Sequence, residues 1–119
     1  MAQTPEGKVK SDLRDILHAH NITPAAKAGA LLTKTSTGWY FMPPGTQFSV
    51  KGVPDFIGKY HGFFWAVETK APKKKPTGFQ KLQIDAINKS PGPCFVIDGD
   101  FTEFEAWLKG ILKCIMTSA

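Results

Sequence analysis

The sequence predicts an α/β fold, one mixed sheet with helices packed on its faces. Three observations lead there. Apolar residues recur at helical spacing near both ends of the chain, as in Val9, Leu13, Ile16 and Leu17. Short aromatic and β-branched runs at 38–42, 55–60 and 63–70 read as strands. A helical stretch and a further apolar run, 94–97, follow them. The resulting order is α, short α, β, β, β, α, β, α.

Each element has its own signal. Thr4-Pro5-Glu6 reads as a helix start, with Thr4 as N-cap and Pro5 in the first turn. Asn21 is its stop. Thr23-Pro24 opens a second, short helix through Leu32. The strand Gly38 to Met42 ends at Pro43-Pro44-Gly45, and 47–54 is loop with extended pieces. Asp55 to Tyr60 and Phe63 to Lys70 form a hairpin through His61-Gly62. The second arm is apolar on both faces until its end, so it should be central and covered on both sides. A Lys/Pro loop, 71–76, precedes a helix from Thr77 to about Lys89, broken by Ser90-Pro91-Gly92-Pro93. Cys94 to Ile97 is a buried strand. Thr102 caps a last helix with Phe104, Trp107, Leu108, Ile111, Leu112 and Ile115 on one stripe.

The 119 residues suit a single domain, 1–119. No apolar run reaches the roughly 18 residues that span a membrane, and the polar start, Met1 to Lys10, is unlike a secretory leader. Cys94 and Cys114, both in apolar surroundings, could pair, but two buried thiols of a cytosolic protein are the expectation. Their spacing argues against a zinc site. The net charge of +5 favours an acidic partner such as nucleic acid. Lys70, Lys73, Lys74, Lys75 and Lys81 crowd together with no acidic residue between them. That stretch is either a solvated linker or a contact for DNA phosphates.

The chemistry gathers at the end of the hairpin. On a strand Phe64, Ala66, Glu68 and Lys70 share a face. Taken alone, Glu68-Thr69-Lys70 is also what a strand looks like where it emerges into solvent with its charges paired. Asp55 changes the balance, because counting outward from the turn sets it opposite residues 68–70. Two carboxylates about 4 Å apart repel by roughly 4 kcal/mol at an effective dielectric of 20. A divalent cation with open positions, Mg²⁺ above all, removes that cost and also favours substrate phosphates.

Pro54-Asp55 followed by Glu68-Thr69-Lys70 resembles the signature of the PD-(D/E)XK nuclease superfamily. The longer runs 52–58 and 62–70, with Gln80 and Glu6, resemble the virus-type replication-repair nuclease (VRR-NUC) family, in its stand-alone phage and bacterial form. The resemblance covers roughly residues 4–99. It implies a restriction-endonuclease-like core and a Mg²⁺- or Mn²⁺-dependent endodeoxyribonuclease. It also implies a location in the cytoplasm of a bacterial or phage-infected cell.

By the same resemblance Asp55 and Glu68 hold the metal with the Thr69 carbonyl, and Lys70 orients or deprotonates the attacking water. Glu6 and Gln80 complete the catalytic set, and the products carry 5′-phosphate and 3′-hydroxyl ends. The residues lend Glu6 support of their own, since it falls on the apolar stripe of its helix; a bare helix N-terminus also favours a carboxylate there. Gln80 faces inward on the wheel yet also completes a capping box with Thr77. Lys73, Lys74, Lys75 and Lys81 are the candidate DNA contacts. Ser90-Pro91-Gly92-Pro93 departs from the glycine-rich segment usual in the family. The substrate expected is branched DNA, such as a Holliday junction in replication, recombination or repair. A homodimer is the expected assembly, although the stripe of the last helix is also explained by covering the sheet. The rival readings are a non-catalytic DNA-binding module on the same fold, and a phosphate-binding or structural protein with an incidental acidic cluster.

Overall fold

The hydroxyl of Thr4 accepts the Gly7 N–H at 3.0 Å, and Pro5 stands in the first turn that follows. These contacts open helix α1, Pro5–Ala19, in the computed structural model, which describes residues 3–32 and 35–117. Val9, Leu13 and Leu17 repeat every four residues along its buried stripe. Asn21, left-handed at φ 59°, lets the chain leave the helix.

Five strands follow: β1 (Ile22–Pro24), β2 (Gly38–Phe41), β3 (Phe56–Tyr60), β4 (Phe63–Thr69) and β5 (Cys94–Ile97). They lie side by side in that order in one sheet. The β1–β2 and β4–β5 pairs are parallel, and β2–β3 and β3–β4 are antiparallel, so the sheet is mixed. His61 (φ 48°) and Gly62 (φ 86°) make the two-residue β3–β4 turn, whose positive φ values match the twist of an antiparallel pair.

Side chains alternate along β4 and so bind two layers. Trp65 and Val67 join Leu13 and Leu17 of α1 and Phe104 and Leu108 of α3 (Thr102–Thr117). Ala66 packs with Cys94 and with Ile84 of α2 (Gly78–Asn88) on the other face. The chain is therefore an α/β protein whose mixed sheet is flanked by helices.

Several expectations need correction. Thr23-Pro24 does not open a helix. Residues 22–24 form β1, because Ile22 is buried against the core and an edge strand tolerates a proline that cannot donate. Ala25–Leu32 then winds as a 3₁₀ segment, kinked at Lys27, with no buried residue to hold it as an α-helix. β4 is not covered along its whole length. Phe63 and Phe64 are exposed, and burial begins at Trp65; the middle strand is β3. Thr102 is the first helical residue rather than the cap. The carboxylate of Asp100 accepts its N–H at 3.0 Å and its hydroxyl at 2.6 Å. Cys94 is buried, as expected, but Cys114 is exposed. On α3 burial ends with Phe104 and Leu108, while Leu112, Ile115 and Met116 face outward. Strand β5 has four residues and α3 has sixteen, so the helix outruns the strand beneath it.

Candidate active site

The hairpin register sets the site. Phe56 pairs with Val67, so Asp55, one residue before β3, stands across from Glu68. Thr69 fixes its orientation: the Thr69 N–H and hydroxyl both donate to Asp55 Oδ2, at 2.9 and 2.8 Å. Thr69 is fully buried and rigid at χ1, so this carboxylate is held on two sides. Oδ1 is left to face α1.

Glu68 is only 1% exposed, and its Oε2 has no donor. An ionised carboxylate in that position is expensive. Burial pushes the Glu68 carboxyl up, to about 8. A hydrogen bond to Asp55 and repulsion from it add to the rise, Lys70 opposes it, and Glu6 adds to it. As two carboxylates, Asp55 and Glu68 are acceptors only. With a proton on Glu68 the pair shares a hydrogen bond, while Oε2 stays without a partner.

Lys70 is half-buried, and its N–H donates to the Ile97 carbonyl at 2.9 Å, which ties the end of β4 to β5. The Thr69 N–H points the other way, toward Asp55. A strand residue presents its N–H and C=O to the same side, so the Thr69 carbonyl lies on the Asp55 side, beyond the last β3–β4 pair. The Asp55 and Glu68 carboxylates are neighbours, and the Thr69 carbonyl lies on the same side of β4; all three are hard oxygen atoms. Among the described residues no three His, Cys, Asp or Glu side chains gather as a metal-ligand group. Glu6 belongs to an outer position: its Oε2 accepts from Lys10 Nζ at 2.9 Å, and the same ammonium is 4.0 Å from Asp55 Oδ1.

Gln80 serves the start of α2. Its side-chain oxygen accepts the Thr77 N–H at 2.9 Å, and its own N–H donates to the Thr77 hydroxyl at 3.4 Å, so the capping box is complete. The residue also lines a cavity of about 400 Å³ beside Asp55, between the 43–54 loop and the start of α2. Lys51 lies over the Phe79 ring at 5.4 Å on the cavity wall. At Gly52 (φ 80°) an added Cβ would fall 2.4 Å from the Phe79 carbonyl, so only glycine lets the loop meet the helix there.

Lys73, Lys74 and Lys75 are exposed. Lys74 N–H donates to the Ala71 carbonyl at 3.0 Å, and Lys73 is left-handed at φ 69°, so the loop is a defined turn after Pro72. Lys81 differs from them, since Asp85 lies 3.8 Å away. The sequence cluster had no acid inside it, but the next helical turn brings one. Cys94 lies near Glu68, and burial with that charge pushes its thiol up to about 12. It packs with Ala66 and Ile84 as a buried, unreactive thiol. The 90–93 segment passes over Phe64, where a Cβ on Gly92 would be 2.9 Å from the Phe64 Cβ, and the Pro93 carbonyl accepts the Ala66 N–H at 2.9 Å.

No family model, no curated protein and no solved structure matches this chain. The chemistry of the site therefore rests on its own residues. Of the sequence candidates, Asp55, Glu68, Thr69 and Lys70 come together at the ends of β3 and β4. Glu6 approaches through Lys10, Gln80 borders the adjoining cavity, and Lys73–Lys75 stay apart on the surface. Sequence reasoning missed Lys10 and the grip of the Thr69 side chain on Asp55. The first had a readable signal, since Lys10 is four residues beyond Glu6 and shares its helix face.

Proposed function

We propose that the chain is a metal-dependent DNA endonuclease with a restriction-endonuclease-like core. The observation that supports it most is the buried Glu68 carboxylate, whose Oε2 has no donor, set against the Asp55 carboxylate. Structural carboxylates at that depth are normally matched by arginine, lysine or backbone donors. A hard divalent cation, Mg²⁺ or Mn²⁺, fits the donor set of Asp55, Glu68 and the Thr69 carbonyl. When bound it supplies Lewis acidity toward a phosphodiester and an attacking water.

The protein's own residues do the rest. Thr69 pins Asp55, so one of its oxygens is aimed before any ligand arrives. Lys70 stands beside Glu68 and places positive charge where the phosphorane gathers negative charge. Its ammonium also orients the water. The Gln80 side-chain oxygen is engaged by Thr77, which leaves its amide nitrogen as a donor to a phosphate oxygen in the cavity. Glu6 positions this set through Lys10. Lys73, Lys74 and Lys75 hold the DNA backbone alongside. The products carry 5′-phosphate and 3′-hydroxyl ends.

The substrate proposed is branched DNA, cut by a two-fold dimer that sets two sites in opposition. The exposed Leu112, Ile115 and Met116 at the end of α3 support a self-association surface. Among the described residues, no helix is long and apolar enough to cross a membrane. Labelled linear, nicked, flapped and four-way DNA, each incubated with Mg²⁺ and with EDTA, test the reading. It expects metal-dependent nicks, most on four-way DNA. Binding of all four without a nick in either condition would leave a DNA-binding module instead.

A further inference from the structure

Lys10 stands in a place that helix propensity does not explain. Most Glu/Lys pairs at i,i+4 sit in solvent and bind only each other. Lys8 and Asp12 on the same helix are such a pair, with side chains 68% and 41% exposed. Lys10 is 26% exposed and has a second carboxylate before it, on a different element: Glu6 Oε2 at 2.9 Å and Asp55 Oδ1 at 4.0 Å. Asp55 Oδ1 is the oxygen that Thr69 leaves open.

Charge counting gives that ammonium a purpose. Glu6 and Asp55 bring two carboxylates to this end of the site, and Lys10 is the ammonium that faces both of them. If Lys10 withdraws, Asp55 Oδ1 loses the positive charge in front of it, and a divalent cation can supply that charge. We propose that Lys10 is a resident counter-ion that holds the place of the divalent cation at Asp55 and gives it up when the cation binds. The inference rests on the metal-site reading above. A lysine suits the role, because its flexible four-carbon stem lets the ammonium move to solvent without disturbing α1. It follows that Lys10 weakens the resting site's affinity for metal while holding α1 against the hairpin.

The test uses Lys10→Met, which keeps the stem and removes the charge, Lys10→Arg, which keeps the charge, and Mn²⁺ alone as the probe. Titration calorimetry should show K10M binding Mn²⁺ about tenfold or more tightly than the wild type, since a nearby positive charge has been removed. K10R should stay near wild type. In EDTA, K10M should melt at a lower temperature than the wild type, and saturating Mn²⁺ should close the gap. A second readout needs no variant to fold. In ¹⁵N-lysine-labelled wild type, a protected Nζ resonance assigned to Lys10 should be present in EDTA and vanish through solvent exchange on adding Mg²⁺. Equal or weaker Mn²⁺ binding by K10M, or an Nζ resonance unmoved by Mg²⁺ in a protein that binds it, would overturn the role of Lys10 alone. Binding of no cation by the wild type would overturn it together with the metal-site reading.

Discussion

Replacing Glu68 with Gln should change how the stability of the metal-free protein depends on pH. The folded state pushes the Glu68 carboxyl up from 4.5 to about 8. Between those values the folded chain holds a proton that the unfolded chain has released. Unfolding free energy therefore falls as pH rises through this window. The contribution is complete below about pH 4.5 and is lost by about pH 8. Each unit is worth about 1.4 kcal/mol, so the full window is worth up to about 5 kcal/mol. Glu68 is buried, so solvent screening removes little of it. Gln has nearly the same shape, donates to Asp55 through its amide, and does not titrate. Urea denaturation in EDTA at pH 5, 6, 7 and 8 reads the effect as the difference between wild type and E68Q, in which other titrating groups cancel. The variant should gain on the wild type by about 1 kcal/mol per unit across the window. Parallel profiles would refute the argument, because they would mean that Glu68 ionises in the folded protein as it does in the unfolded one. Saturating Mg²⁺ should restore the stability that the wild type loses at high pH.

Other outcomes follow from the surface and the loop. Changing Lys73, Lys74 and Lys75 to Gln should flatten the log–log salt slope of duplex DNA binding by about 0.9 for each phosphate that is no longer neutralised, and an unchanged slope makes the loop a linker. Gly52→Ala should destabilise the chain by about 1–3 kcal/mol, because a left-handed residue would also press on the Phe79 backbone; denaturant midpoints measure this. Sedimentation at micromolar concentration should give about twice the 13.1 kDa chain mass, and Leu112→Lys with Met116→Lys should return the monomer.

The parts of the fold that were legible in the sequence are those where local chemistry decides. Thr4-Pro5 and the four-residue repeat of Val9, Leu13 and Leu17 are enough for α1, and His61-Gly62 is enough for the hairpin. From that turn, period-2 counting sets Asp55 against Glu68. What failed depended on partners distant in sequence. Residues 22–24 are a strand only because β2 lies beside them, and no local preference of Thr23-Pro24 signals that pairing. Cys114 sits on an apolar helix that continues past the sheet, so its exposure follows from the length of β5 rather than from its neighbours. Within the site, Asp55 and Glu68 were readable as a pair. The hold of Thr69 on Asp55 was not, because a buried strand threonine is ordinary until the loop before β3 brings a carboxylate to it.

The central claim is that Asp55 and Glu68 together hold the cation that cuts DNA. The most direct test is single-turnover cleavage of a labelled four-way junction in Mg²⁺ by wild type, Asp55→Asn, Glu68→Gln and Lys70→Ala, with Mn²⁺ binding measured on the same preparations. The account predicts that both carboxylate variants fold, lose Mn²⁺ binding and lose cleavage, whereas Lys70→Ala keeps Mn²⁺ and loses nearly as much cleavage. Wild-type turnover by either carboxylate variant would contradict it.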